Sequence, residues 1–152
     1  MTFERSTDYV LIHKILTANA RSYDAMGDDA APPIGEFEVN QHPAIWYVIA
    51  RSAEGDVVGL FTFIPLNAVC YEAHNCLLPR AWGPQALEAG RGVIAWMFAH
   101  SPCRRIVGAT PAYLRLAVKF AKTSGMVEYG RNPKAFLKYA ILHDLILTGI
   151  SA

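Results

Sequence analysis

Glu72 and His74 are the residues whose types and spacing are best suited to moving a proton. They lie in VCYEAHNCLL, residues Val69 to Leu78, whose aromatic and β-branched content reads as a strand. Residues two apart on a strand share a face, so the carboxylate and the imidazole project together. Such a pair could strip a proton from a cationic nucleophile, directly or as a relay through water. Histidine titrates near neutrality and is the better intrinsic base; Glu72 would need burial to raise its pKa into that range. The alternative is that the pair packs beneath a helix, or lies on a sheet face with hydrogen-bond partners of its own. Cys70 and Cys76 share the same parity. With no His–acid arrangement readable around either, both read as core. His13, His42, His100 and His143 show no metal-ligand spacing.

The residues that follow have a second chemistry. In RAWGPQA, Arg80 to Ala86, a glycine at the turn lets the backbone approach a ligand. Pro84 suits the first position of a helix, where its missing N–H is not needed. That helix would aim free N–H groups back over the strand end, which makes an anion site. Strand, tight turn and helix N-terminus together point to a phosphate-bearing cofactor.

These residues need a scaffold, and 152 residues suffice for one domain with a substantial core. Hydrophobic residues make up 53% and charged residues 18%, the balance of a packed globule rather than a disordered chain. A formal charge of +1 gives no electrostatic case for nucleic acid. No apolar run is long enough for a bilayer span, and MTFERSTDYV lacks the apolar core of a signal peptide, so no membrane association is expected. Three cysteines without framework spacing fit a reducing cytoplasm.

In order, Ser6, Thr7 and Asp8 offer N-caps for a helix from Tyr9 to about Ala20, with Arg21 to Met26 as a second short piece. Residues Gly27 to Pro43 read as an exposed loop, either a substrate-binding edge or a connector. Strands are expected at Ala44–Arg51, Val57–Ile64 and Val69–Leu78, then a helix over Pro84–His100 and a strand over Arg104–Ala109. A helix begins at Thr110-Pro111 and is closed by Gly125; strands follow at Met126–Gly130 and Ala140–Gly149, separated by a turn at Asn132-Pro133. The order is α, β-β-β, α, β, α, β, β: an α+β, mixed-sheet protein with two crossover helices.

That order resembles the GNAT superfamily of N-acetyltransferases. The segments YEAHNCLLPRAWGPQALEAGRGVIAWMF, CRRIVGATPAYLRLAVKFAKTSGMVEYGR and AILHDLILTGI are similar to short GNAT-like proteins of tailed bacteriophages. The resemblance implies a central mixed, mostly antiparallel sheet flanked by helices, with acetyl-CoA as cofactor. Cys76, Leu77 and Leu78 match the strand that contacts pantetheine. Arg80, Trp82, Gly83, Pro84, Gln85 and Ala86 match the pyrophosphate loop. Gln85 stands where the family has Gly or Ala, Leu114 where many relatives carry Asn, and Ala121 where many carry a Tyr that protonates the thiolate.

Two functions follow. The first is direct acetyl transfer from acetyl-CoA to a primary amine of a protein or small molecule, with Glu72 or His74 as base and solvent protonating the thiolate. The second is a GNAT-fold protein that binds a partner protein, favoured by Pro84, Leu114 and Ala121. The resemblance also implies frequent homodimerisation and, for a phage protein, the infected bacterial cytoplasm. Gly90 and Gly92 inside a helix suggest close approach to the sheet. Trp46, Tyr47 and Trp96 read as packing, Arg104-Arg105 as a solvated pair, and His143-Asp144 as structural.

Overall fold

The computed structural model describes residues 1–152. It contains strands β1 (Thr2–Ser6), β2 (Trp46–Arg51), β3 (Val57–Pro65), β4 (Cys70–Leu77), β5 (Arg105–Pro111), β6 (Val127–Lys138) and β7 (Ile141–Ser151). The helices are α1 (Tyr9–Leu16), α2 (Ala20–Met26), α3 (Pro84–His100) and α4 (Arg115–Thr123). The strands form one sheet in the order β1-β2-β3-β4-β5-β7-β6. Every neighbouring pair is antiparallel except β4 and β5, which run parallel with α3 as the crossover. No helix is long and apolar enough to cross a membrane.

Each face of the sheet is packed by helices. On one, α3 buries Ala86, Ala89, Gly90, Val93 and Met97, a stripe at helical spacing, over a core with Val48, Phe61, Phe63, Tyr71 and Ile106. Pro84 opens this helix, and Ser101 closes it by donating its N–H and hydroxyl to the Met97 carbonyl at 3.1 and 2.6 Å. On the other face, α1 sets Ile12 and Ile15 against Ile49, Leu60 and Cys76. Asp8 caps α1 by accepting the Leu11 N–H at 3.0 Å.

The structure changes three of the boundaries expected from sequence. Thr2–Ser6 is a strand, paired with Arg51–Tyr47; its polar residues hide the signal, and its one aromatic, Phe3, fills the notch left by Gly92. Pro111 ends β5 rather than opening a helix. It pairs with Leu145 at the strand terminus, and the Ala112 N–H continues the ladder to the Asp144 carbonyl at 2.9 Å. Asn132-Pro133 is a bulge inside one long strand rather than a turn between two elements. Proline cannot donate to the ladder, so the register slips between Asn132↔Leu145 and Phe136↔His143. Asp144 secures the bulge by accepting from Arg131 Nη1 and the Lys134 N–H, both at 3.0 Å. Gly90 lies close to α4, where a Cβ would come within 2.5 Å of Ser124 Oγ and 2.7 Å of Phe120. The compensation for a helical glycine is therefore helix–helix as well as helix–sheet contact.

The β6–β7 tip is bound to α2 and to the segment that follows it. Lys138, 5% exposed, donates to the carbonyls of Asp24 and Gly27 at 2.6 and 2.8 Å and to Asp24 Oδ1 at 3.2 Å. Tyr139 OH bonds the same carboxylate, and Asp29 accepts the N–H groups of Tyr139 and Ala140 at 2.7 and 2.8 Å. The Tyr139 hydroxyl, followed by Lys138, lowers the pKa of Asp24; the two turn N–H groups lower that of Asp29. A carboxyl depressed in the fold stabilises it above the unfolded pKa, and that contribution disappears as pH falls through the folded value. Stability should therefore be level near neutrality and decline as pH drops below about 4. Lys138→Met keeps the packing but strands two carbonyls, and should cost about 2–3 kcal/mol at pH 7 in urea unfolding.

Candidate active site

β4 and β5 stay paired for only three positions, Cys70↔Arg105, Tyr71↔Ile106 and Glu72↔Val107. Beyond these β4 remains bonded to β3 as far as Leu77, while β5 remains bonded to β7 as far as Pro111. The two strands diverge, and a gap opens in the middle of the sheet. Leu78 donates its N–H to the Val58 carbonyl at 3.0 Å, which makes the even-numbered residues of β4 the ones bonded to β3. Asn75 and Leu77 consequently turn their N–H and C=O groups toward the gap, as Ala73 does its C=O, while the Ala73 N–H closes the last rung of the parallel ladder at the Glu72↔Val107 pair.

The gap ends at the Arg80–Ala86 loop. Pro79–Ala81 forms one 3₁₀ turn, and Trp82 folds back to donate its indole N–H to the Leu77 carbonyl at 3.1 Å. Gly83 adopts φ 101° and ψ −138°, backbone open in practice only to glycine. This conformation turns the chain into α3 with no side-chain cap. The N–H groups of Gly83, Gln85 and Ala86 have no hydrogen-bond partner. Pro84 supplies none. Arg80 is exposed and donates from Nη2 to the Val57 carbonyl at 2.9 Å, which holds its guanidinium beside the loop. Ala86 is buried beneath it. Free N–H groups, a helix N-terminus and an anchored guanidinium make an anion cradle.

Glu72 and His74 meet on the opposite face, with Nε2 2.8 Å from Oε1. The bond from His74 holds the Glu72 carboxyl below the usual range, against the upward pull of partial burial. Glu72 is thus ionised at neutral pH, the reverse of the shift a carboxylate base requires. With Glu72 ionised, the His74 Nε2–H is spent on the carboxylate, which leaves Nδ1 without a partner on a ring that is half exposed.

Other residues have simpler places. Cys76 lies under α1 with Sγ 3.6 Å from the Ile15 carbonyl, and burial pushes its thiol up to about 11, so no thiolate nucleophile exists there. Its backbone and that of Leu78 are committed to β3 and its flanks, whereas Leu77 borders the gap. Arg105 pairs with the first residue of β4, at the far end from the loop, and lies over the Tyr129 ring. Trp46 and Trp96 pack edge to face. Sequence reasoning passed over Ala73 and Asn75, because an open backbone edge is a property of strand pairing rather than of residue type. Tyr113 follows the end of β5, and its ring sits 4.4 Å from that of His143.

The two faces have separate access. The odd residues Tyr71, Ala73 and Leu77 face the α3 core, and Cys76 shares the α1 side. A cavity of about 70 Å³ lies between α3, α4 and the sheet, and His74 borders it together with Ala73 and Asn75. The gap therefore connects the helical cavity with the face that carries the dyad.

No protein-family model matches the chain, and no curated protein matches it in sequence. Its fold is shared. A spermidine N-acetyltransferase from Vibrio cholerae, solved with CoA and spermine, superposes with TM-score 0.80 at 19% identity over 99% of this chain and 94% of that one. A ribosomal-protein-alanine acetyltransferase from Vibrio fischeri gives 0.74 at 17% identity over 98% and 91%. The split strand pair, the loop and the crossover helices thus belong to the GNAT fold.

Proposed function

We propose that this chain is an acetyl-CoA-dependent N-acetyltransferase acting on a primary amine. The observation that carries this reading is the open backbone edge of β4, which runs from an anion cradle at one end to the Glu72–His74 dyad at the other. Gly83, Gln85 and Ala86 fit the pyrophosphate, because their N–H groups are unpaired and Gly83 brings the backbone to the surface. Arg80 adds charge, Trp82 covers the turn, and the Ala73 carbonyl, both backbone groups of Asn75 and the Leu77 N–H offer the pantetheine arm its amide partners. Bound there, acetyl-CoA supplies an activated thioester carbon.

The rest falls to the protein. His74 takes the ammonium proton at Nδ1, Glu72 holds the ring, and the gap brings the neutral amine to the thioester carbon. The C–N bond would form as the C–S bond breaks, solvent would protonate the released thiolate, and orientation carries much of the rate. Residues 22–50 contain no Lys or Arg; Asp24 is paired with Lys138 and Asp29 with the N–H groups of Tyr139 and Ala140, which leaves Asp28, Glu36 and Glu38 outside any ion pair. An acidic border suits a cationic acceptor. The fold neighbours named above act on a polyamine and on a ribosomal-protein alanine, and an amine of either kind is compatible with this face. The three free cysteines suit a reducing cytoplasm.

Thermal unfolding tests the cofactor. Acetyl-CoA at about 100 times its Kd should add roughly 2.7 kcal/mol and raise Tm by several degrees; no rise at millimolar acetyl-CoA contradicts the reading. Gly83→Val forces a β-branched residue into glycine-only backbone and should abolish most of that rise. His74→Ala should lower turnover about 100-fold with the rise intact. Glu72→Gln, which keeps a hydrogen-bond acceptor without the charge, should lower it about tenfold.

A further inference from the structure

The cavity between α3 and α4 has a feature that acetyl transfer does not use. Part of its wall is built from small residues, with Gly90, Gly108, Ala117 and Ala121 contributed by three elements around Ser124 and Thr148. A Cβ at Gly108 would come within 3.2 Å of Thr148 Oγ1, just as one at Gly90 would come within 2.5 Å of Ser124 Oγ. Both hydroxyls thus occupy space that the glycines keep clear. Thr148 makes a weak contact with Met126 Sδ at 3.9 Å. Ser124, 6% exposed, has no partner for its Oγ. Buried hydroxyls are nearly always satisfied, and leaving one orphaned is costly.

The direction of the gap places this floor. If the pyrophosphate sits at the α3 N-terminus, an arm following β4 moves away from the loop toward the point where β4 and β5 rejoin at Glu72 and Val107. The acyl end of the cofactor then meets the cavity. A volume of about 70 Å³ is more than twice the roughly 30 Å³ share of one water, and more than a methyl group fills. Ala121 leaves the α4 wall low. No Lys or Arg lines the cavity, and its one histidine, His74, has Nε2 committed to Glu72, so a buried carboxylate would lack a free counter-charge.

We propose that this cavity is an acyl pocket for a CoA thioester of three or four carbons bearing a neutral hydroxyl or keto oxygen, which hydrogen-bonds Ser124 Oγ. The proposal rests on the CoA-binding reading above. Titration calorimetry on the wild type and Ser124→Ala, with CoA, acetyl-CoA, butyryl-CoA and 3-hydroxybutyryl-CoA, tests it by binding alone. The wild type should bind 3-hydroxybutyryl-CoA about five- to tenfold more tightly than butyryl-CoA, the worth of one hydrogen bond. Ser124→Ala should abolish that ratio and leave the acetyl-CoA affinity within twofold. Equal wild-type affinity for the two four-carbon thioesters, or a ratio that survives Ser124→Ala, overturns the pocket. So does a wild-type preference for acetyl-CoA over both, which would mean that water satisfies Ser124. Those results leave the acetyltransferase reading standing, whereas failure of CoA itself to bind overturns both.

Discussion

The structure depends on a contest between hydrogen-bond ladders at the centre of the sheet. β4 is bonded to β3 through seven positions and β5 to β7 through seven, but β4 and β5 share only three. Each central strand therefore follows its outer neighbour, and sheet twist carries the two apart. Unpaired backbone in a sheet interior is expensive unless water or a ligand satisfies it. The gap is thus an unfinished ladder, and that is what leaves the Ala73 carbonyl, both backbone groups of Asn75 and the Leu77 N–H facing it.

The same divergence separates two environments. On the α3 side the gap leads into a largely apolar cavity and ends in free N–H groups, which favours a molecule with an anionic head and a slender uncharged arm. On the α1 side it meets a half-exposed histidine bonded to a carboxylate, and residues 22–50 carry five carboxylates and no Lys or Arg. Anion and cation can therefore approach from opposite faces without competing for the same groups. The depressed pKa of Glu72 belongs to this division: the carboxylate serves as a fixed charge beside His74.

Much of this was legible in the sequence where local chemistry decides the outcome. Glu72 and His74 share a face because they are two apart on a strand. Gly83 and Pro84 turn the chain into α3 because their backbones permit it. Gly125, at φ 108°, closes α4 as its position suggested. The reading failed where long-range pairing overrides local signals. Pro111 looks like a helix start, yet it can end a strand because β7 lies beside it. Asn132-Pro133 looks like a turn, yet the long β7 partner absorbs it as a bulge. Thr2–Ser6 is too polar to announce itself and forms a strand only because β2 offers an edge. The open edge of β4 and the orphaned Ser124 hydroxyl are likewise products of tertiary packing. The Lys138–Asp24–Asp29 anchor joins residues more than a hundred positions apart, which no local pattern can show.

The most direct test of the central claim is a titration of ¹⁵N-labelled protein with CoA, followed by amide chemical shifts. The account predicts that the N–H groups of Asn75, Leu77, Gly83, Gln85 and Ala86 move first and furthest, while those of Glu72, His74 and Cys76, bonded to β3, and of Ala73, bonded to β5, move little. Large shifts confined to the even-numbered residues of β4, or to the β1 and β6 edges of the sheet, would contradict it.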